Sequence, residues 1–282
     1  MFPETASYIG SVNRRFLLLI PCSYTLLSAA DLPPDTVAAF DRYTKLTEHA
    51  LDQRKGLHDY LWLDQHPKER EIIWLGQSVI VPLKTLDQGR EIDVPGASLQ
   101  DWMGTFLLEH ATLERVRDYI LNYGDYKFYF KQFFIDSKLV KREGDRFDAF
   151  LRLSRKQLTG VVLNMNVSTT YTLYDPTHAQ IICRSTHIGE VAHPKEKAQG
   201  DQERPASGAS GYLWRQNIYW RLLQTRDGVY VELESITLSR PAGGINPSRF
   251  LNGFVEKYPR EFVDGSIEAM QKGFPRPQQP HH

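Results

Sequence analysis

Little in this chain announces a chemistry, and the gaps are informative. Two cysteines in 282 residues, Cys22 and Cys183, exclude a disulfide scaffold and a cysteine-rich zinc site. The 34 Lys and Arg are matched by 34 Asp and Glu, so the basic excess that nucleic acid or an anionic membrane attracts is missing from the chain as a whole. No two of the nine histidines stand four apart, which removes the H-x-x-x-H and H-x-x-E-H metal spacings. A G-x-S-x-G elbow, a P-loop and a placed Cys/His pair are also absent. The sequence therefore offers no catalytic residue, no metal ligand set and no cofactor motif.

Aromatic residues are plentiful instead: 14 Tyr, 14 Phe and five Trp in a chain that is 41% hydrophobic. That composition belongs to a globular protein of one large domain, or one domain with an extension. Near the amino terminus Asn13-Arg14-Arg15 precedes an apolar stretch over 16–30 that ends Ser28-Ala29-Ala30. A basic flank, an apolar core of ~15 residues and small residues at the end are the three parts of a secretory signal. Residues 1–30 are thus expected to be a leader cleaved before Asp31, exporting the protein to the periplasm or the exterior. Cys183 would then be the single thiol, a buried small hydrophobe within Ile181-Ile182-Cys183.

After Pro33-Pro34, Val37, Phe40, Tyr43, Leu46, Thr47 and Leu51 fall at helical spacing over 35–53. Two extended pieces are expected next, 60–63 and 72–83, around a polar Asp64-Gln65-His66-Pro67 turn. Residues 31–92 read as an N-terminal extension to a main domain over 93–275, with a disordered tail over 276–282. In that domain 99–108 reads as a strand and Thr112 opens a helix carrying Leu113, Val116, Tyr119, Ile120 and Tyr123. Strands follow at 132–142, 146–154, 158–173, 179–191, 212–224 and 229–239, with Glu143-Gly144-Asp145 and Asp227-Gly228 as hairpin turns. A polar stretch over 192–210 reads as a long loop. Apolar positions over 248–273, broken by Pro259, form an amphipathic helix. The class is α+β: an antiparallel sheet of about six or seven strands whose apolar face the last helix covers.

This order, together with three segments, resembles the START-related (SRPBCC) superfamily, which includes lipid-transfer domains and polyketide cyclases. It is most similar to a group of exported bacterial, largely acidobacterial, members. The segments are Pro95-Gly96 to Trp102-Met103-Gly104 leading into Ala111-Thr112-Leu113, the hairpin over 137–153 with Gly144-Asp145-Arg146-Phe147, and Gly211-Tyr212-Leu213-Trp214-Arg215 through Tyr219-Trp220-Arg221 to Leu238-Ser239-Arg240. The likeness covers about 95–273. After Arg240 the chain departs from the group, with Pro241-Ala242-Gly243-Gly244 where a longer apolar stretch is expected. The resemblance implies a helix-grip fold: a curved sheet wrapped around the terminal helix, with an apolar cavity between them.

Placed on the apolar faces of the expected elements, the lining of that cavity would be Phe147, Leu151, Leu163, Met165, Tyr212 and Trp214, with Ile218, Trp220, Val231, Leu233, Phe254 and Ile267. Alternation over 212–222 puts Tyr212, Trp214, Ile218 and Trp220 on one side and Arg215, Asn217, Tyr219 and Arg221 on the other. The turn at Asp227-Gly228 sets Arg221 opposite Glu232 or Glu234. Arg215, Tyr219, Arg221 and Glu234 either turn inward as the polar end of a pocket or lie on the solvent face. Expected partners are a hydrophobic small molecule or lipid and no nucleic acid; the aromatic cluster over 123–134 reads as core beneath a loop, or alternatively as a cavity mouth in transient contact with a membrane. A binding or transport role is expected; the alternatives are a cyclase-like enzyme using a residue such as Tyr219 or Arg215, and a filled interaction module docking through 31–92.

Overall fold

The computed structural model describes residues 32–55, 59–154, 161–194, 202–205, 212–241 and 249–275, with side chains in the last segment from Glu256 onward. The expected leader, the tail, most of the loop over 192–210 and the stretch after Pro241 lie outside the described residues.

Helix α1 (Pro34–Gln53) is followed by a 3₁₀ turn (Trp62–Gln65), α2 (Pro67–Trp74), β1 (Val79–Pro82) and a small hairpin of β2 (Leu86–Asp87) and β3 (Arg90–Glu91). Then come β4 (Ser98–Glu109), α3 (Leu113–Leu121), α4 (Tyr126–Tyr129), β5 (Phe134–Glu143), β6 (Arg146–Ser154), β7 (Val162–Leu173), β8 (His178–Glu190), β9 (Arg215–Gln224), β10 (Gly228–Ser239) and α5 (Arg249–Gly273). Eight strands form one curved antiparallel sheet in the order β1-β4-β10-β9-β8-β7-β6-β5. The architecture is helix-grip.

Alternation explains the strand faces. In β6, Phe147, Ala149, Leu151 and Leu153 are buried while Arg146 and Asp148 are exposed. These residues join Trp220, Leu222, Val229, Val231 and Leu233 in one core on the face that carries α5, whose Phe262, Val263, Ile267 and Met270 pack into it. That side is the inner face. On the outer face α1 lays Phe40, Tyr43 and Leu51 against Tyr219, Ile236 and Leu238, and Tyr60, Leu61, Leu63 and Ile73 cover Leu107 and Tyr230. Covered on both sides, β10 is buried along all twelve residues.

The N-terminal segment differs from its sequence reading. Residues 60–63 run into a 3₁₀ turn, and 72–83 divides between the end of α2 and β1. Pro67 is the cause: its fixed φ suits the first position of a helix, so it opens α2 instead of closing a turn. β1 then pairs with β4 and supplies the eighth strand.

The C-terminal half of α5 sits close on β4 because Gly104 has no side chain. A Cβ there would lie 2.6 Å from both Ile267 Cδ1 and Val263 Cγ1. Gly104→Ala is expected to lower stability by about 1–3 kcal/mol in urea unfolding, and adding Ile267→Ala to it is expected to cost less than the two single losses together. Full additivity would mean that the close approach does not set the helix position.

Candidate functional site

The inner face holds a void between β6–β9, α4 and α5. It is lined by Leu151, Met165, Val167, Cys183, Ile218 and Trp220 from the sheet, by Tyr123, Tyr126, Phe130 and Phe134 from the segment around α4, and by Phe262 and Ser266 from α5. Gln216 completes it, donating Nε2 to Ser235 Oγ at 3.1 Å. The volume is about 30 Å³, room for about one water. Tyr123 and Tyr126 are fully enclosed and their phenols are raised by burial; Tyr123 shares a 2.6 Å hydrogen bond with Thr169 Oγ1, and Tyr126 donates to Ile120 O at 2.5 Å. Burial also pushes the Cys183 thiol up, which keeps it protonated and unreactive.

Of the residues expected to line a cavity, Leu151, Met165, Ile218 and Trp220 border this void, while Phe147, Leu163, Val231, Leu233 and Ile267 belong to the inner core around it. Tyr212 is buried beneath the Arg240 guanidinium, 5.6 Å from the ring centre. Trp214 is a correction: it packs with the outer cluster of Phe40, Tyr43 and Leu238. β9 begins only at Arg215, so strand alternation does not govern the residue before it. The side chain of Phe254 lies outside the described residues.

The polar candidates form a second constellation on the opposite side of the sheet. Arg215, half-buried and paired across the ladder with Leu238, bonds its own neighbour's carbonyl, Trp214 O, at 3.1 Å. Tyr219, Arg221 and Glu234 are 1, 1 and 4% exposed, so they are neither inward nor in solvent. Helix α1 covers them. Tyr219 donates to Glu48 Oε1 at 3.1 Å, and Arg184 pairs with the same carboxylate at 2.8 Å. Arg221 donates to Leu51 O at 2.9 Å and Arg54 O at 2.7 Å, with its guanidinium 4.0 Å from the Tyr60 ring centre. It stands opposite Glu232, which accepts from Trp62 N at 2.5 Å and faces Arg54 at 3.7 Å.

Sequence reading missed Asp101, a buried acid in the first half of β4. Its Oδ2 accepts from Tyr43 OH at 2.9 Å, while Oδ1 meets no N–H or hydroxyl. The neighbour of this carboxyl group is Glu234, also enclosed. Two ionised carboxylates this close and this buried repel, which favours the protonated form of Glu234. Burial first, then mutual repulsion, raises Glu234 well above the ordinary carboxyl range; burial lifts Asp101 to about 7. Gln216 was missed too, although it and Gln224 are the polar exceptions among the even positions of β9.

No family model matches the sequence, and no curated protein does. Among solved structures the chain is similar to a STAR-related lipid transfer protein fragment from Xanthomonas axonopodis, at 16% identity over 70% of this chain and 99% of that one, TM-score 0.45. It is similar to human STARD10 at 11% identity over 73% and 78%, TM-score 0.42, and to the Zhui aromatase/cyclase from a Streptomyces species at 12% over 63% and 96%, TM-score 0.40.

The acid pair makes α1 docking sensitive to pH. Tyr43, Tyr219, Glu232 and Arg54 surround it; Arg54, the one cation among these four, faces Glu232 and only partly offsets the burial of Glu234. With both carboxyl pKa values raised, the folded protein holds more protons than the unfolded chain from roughly pH 4 to 7, so stability falls as pH rises through that window. Urea midpoints at pH 5 and pH 8 should show a drop of order 1 kcal/mol per pH unit for each shifted group. Glu234→Gln retains a donor toward Asp101 and is expected to flatten the dependence; an unchanged slope would place the titration elsewhere.

Proposed function

We propose that the protein is an exported, non-catalytic carrier that binds a hydrophobic small molecule or lipid between the inner face of the sheet and α5. The void carries this reading: aromatic, sulfur and aliphatic walls with Gln216 and Ser266 as isolated polar groups are the make-up of a site for an apolar ligand with one polar handle. Apolar area buried at about 25 cal/mol per Å² supplies affinity with few directional contacts, in keeping with a sequence that has no catalytic motif. Tyr219, the residue a cyclase reading would use, lies on the far side of the sheet, bonded to Glu48.

A ligand site spans roughly 300–1,000 Å³, so binding requires the void to open. Pro259 interrupts α5, removing one backbone bond at a point where the helix can hinge. The part beyond it packs closely on β4 at Gly104, so opening the void requires α5 to give way on the amino-terminal side of that contact, where Tyr258 is buried in the core. The present volume of about 30 Å³ favours a second reading, in which the interior stays filled and the fold is a docking scaffold.

Native and denaturing mass spectra of the full chain, purified from its own exporting host, separate the two. A hydrophobic mass released on denaturation is expected, from a polypeptide that begins at Asp31. Trp220→Ala should weaken retention about tenfold or more, a loss of ~1.4 kcal/mol or more, and Trp214→Ala, on the outer face, should leave it unchanged. A bare polypeptide that also refuses added fatty acid would move the assignment to the filled scaffold.

A further inference from the structure

The edge strand β5 carries apolar side chains that no described residue covers. Ile135, Leu139 and Val140 are 53, 44 and 62% exposed, and Phe128 in α4 is 65% exposed. Ile135 and Val140 occupy the two register shifts between β5 and β6; a bulge leaves its extra residue out of the ladder and turns it away from the sheet. α4 is tied to the same strand, with Lys127 N donating to Ser137 Oγ at 3.0 Å and Lys127 Nζ to Asp136 at 3.5 Å, so Phe128 belongs to this surface. Of the other rings in the cluster over 123–134, Tyr123, Tyr126, Phe130, Phe133 and Phe134 are buried, and Tyr129 is half-buried and stacked on Tyr119. The buried five are core.

Charge here departs from the neutral whole. Residues 126–143, from the start of α4 to the end of β5, contain Lys127, Lys131, Lys138, Lys141 and Arg142 against Asp136 and Glu143; all the bases but Lys127 are exposed, and Lys141 pairs with Glu143 at 2.7 Å on the surface. Bulges and lysines are the devices that keep a second strand from pairing with a sheet edge. They suit a bilayer well, since lysine stems lie along apolar surface while the ammonium groups reach phosphates. We propose that the surface formed by β5 and α4 docks on an anionic lipid bilayer, inserting Phe128, Ile135 and Val140 between headgroups that Lys131, Lys138, Lys141 and Arg142 attract. The docking stands on this geometry; its use, loading or unloading an apolar ligand, rests on the carrier reading.

Co-sedimentation of the full chain with phosphatidylcholine vesicles, alone and with about a third phosphatidylserine, tests it. Binding is expected to the mixed vesicles, to weaken with added salt, and to fall about fivefold for each of Lys138→Gln and Lys141→Gln. Phe128→Ser and Val140→Ser should weaken it with the thermal midpoint unchanged. No binding, equal binding to both vesicle types, or variants indistinguishable from wild type would overturn the proposal. So would a dimer in sedimentation that Val140→Ser dissociates, which would give the edge to a second copy. Retention of the co-purifying mass is read on the same variants: kept while vesicle binding is lost, it supports a separate docking surface. Vesicle binding by a chain that never carries a ligand leaves this proposal standing and removes the carrier reading.

Discussion

A guanidinium in the middle of a β-sheet face must find acceptors or unfold the elements around it, and Arg221 finds them for its two terminal nitrogens at the end of α1, in Leu51 O and in Arg54 O just past the helix, while its Nε meets none. Desolvation lowers its pKa, the Tyr60 ring stacks against it, and its cross-strand partner Glu232 takes the Trp62 N–H. The two face each other across the ladder, and their direct contacts go elsewhere, Arg221 to the end of α1 and Glu232 to Trp62 N and Arg54. Each member reaches off the sheet and fixes one end of the connection between α1 and the 3₁₀ turn. Removing one partner of such a buried set leaves an uncompensated charge, typically a loss of about 3–5 kcal/mol. The N-terminal segment is thereby held as the outer layer of the sheet.

That constraint decides the rest of the architecture. With its outer face roofed, the sheet can bury β10 completely and place polar groups such as Thr105, Glu232 and Glu234 where an open sheet would show them to water. The acid pair of Asp101 and Glu234 follows from the same roof, since only enclosure raises two carboxyl groups together. At the far edge the roof does not reach, and there β5 protects itself with bulges and lysines.

Period-2 alternation gave the main-domain strands to within a few residues, and Asp227-Gly228 fixed the β9–β10 register well enough to pair Arg221 with one of two glutamates, of which Glu232 is the partner. Alternation reports which residues share a face. It does not report what covers that face, so Tyr219, Arg221 and Glu234 were legible as a set while their burial was not. The missing information lay in α1, whose Phe40, Tyr43 and Leu51 spacing demanded a partner surface without naming it. Trp214 escaped the rule by preceding its strand, and the void could not be read at all, because it depends on how Phe262 and Ser266 meet side chains more than 100 residues away in sequence, such as Leu151.

The two faces are held by different physics, and this bears on which one can exchange a ligand. Outer contacts are directional: Arg221 to Leu51 O and Arg54 O, Tyr60 to Ala179 O at 2.5 Å, Tyr43 to Asp101. Breaking any of them strands a buried polar group, and an apolar guest offers no replacement. Beside the void, the hydrogen bonds of Tyr123, Tyr126 and Gln216 run to their own side of the sheet and helix segment, while Met165, Ile218, Trp220 and Phe262 line it with apolar surface, and a hydrocarbon chain can take the place of a neighbour these four lose. Displacing α5 from this region exchanges protein–protein for protein–ligand burial at similar free energy, whereas displacing α1 exposes charges. On the carrier reading, the sheet is clamped on one side so that it can be opened on the other.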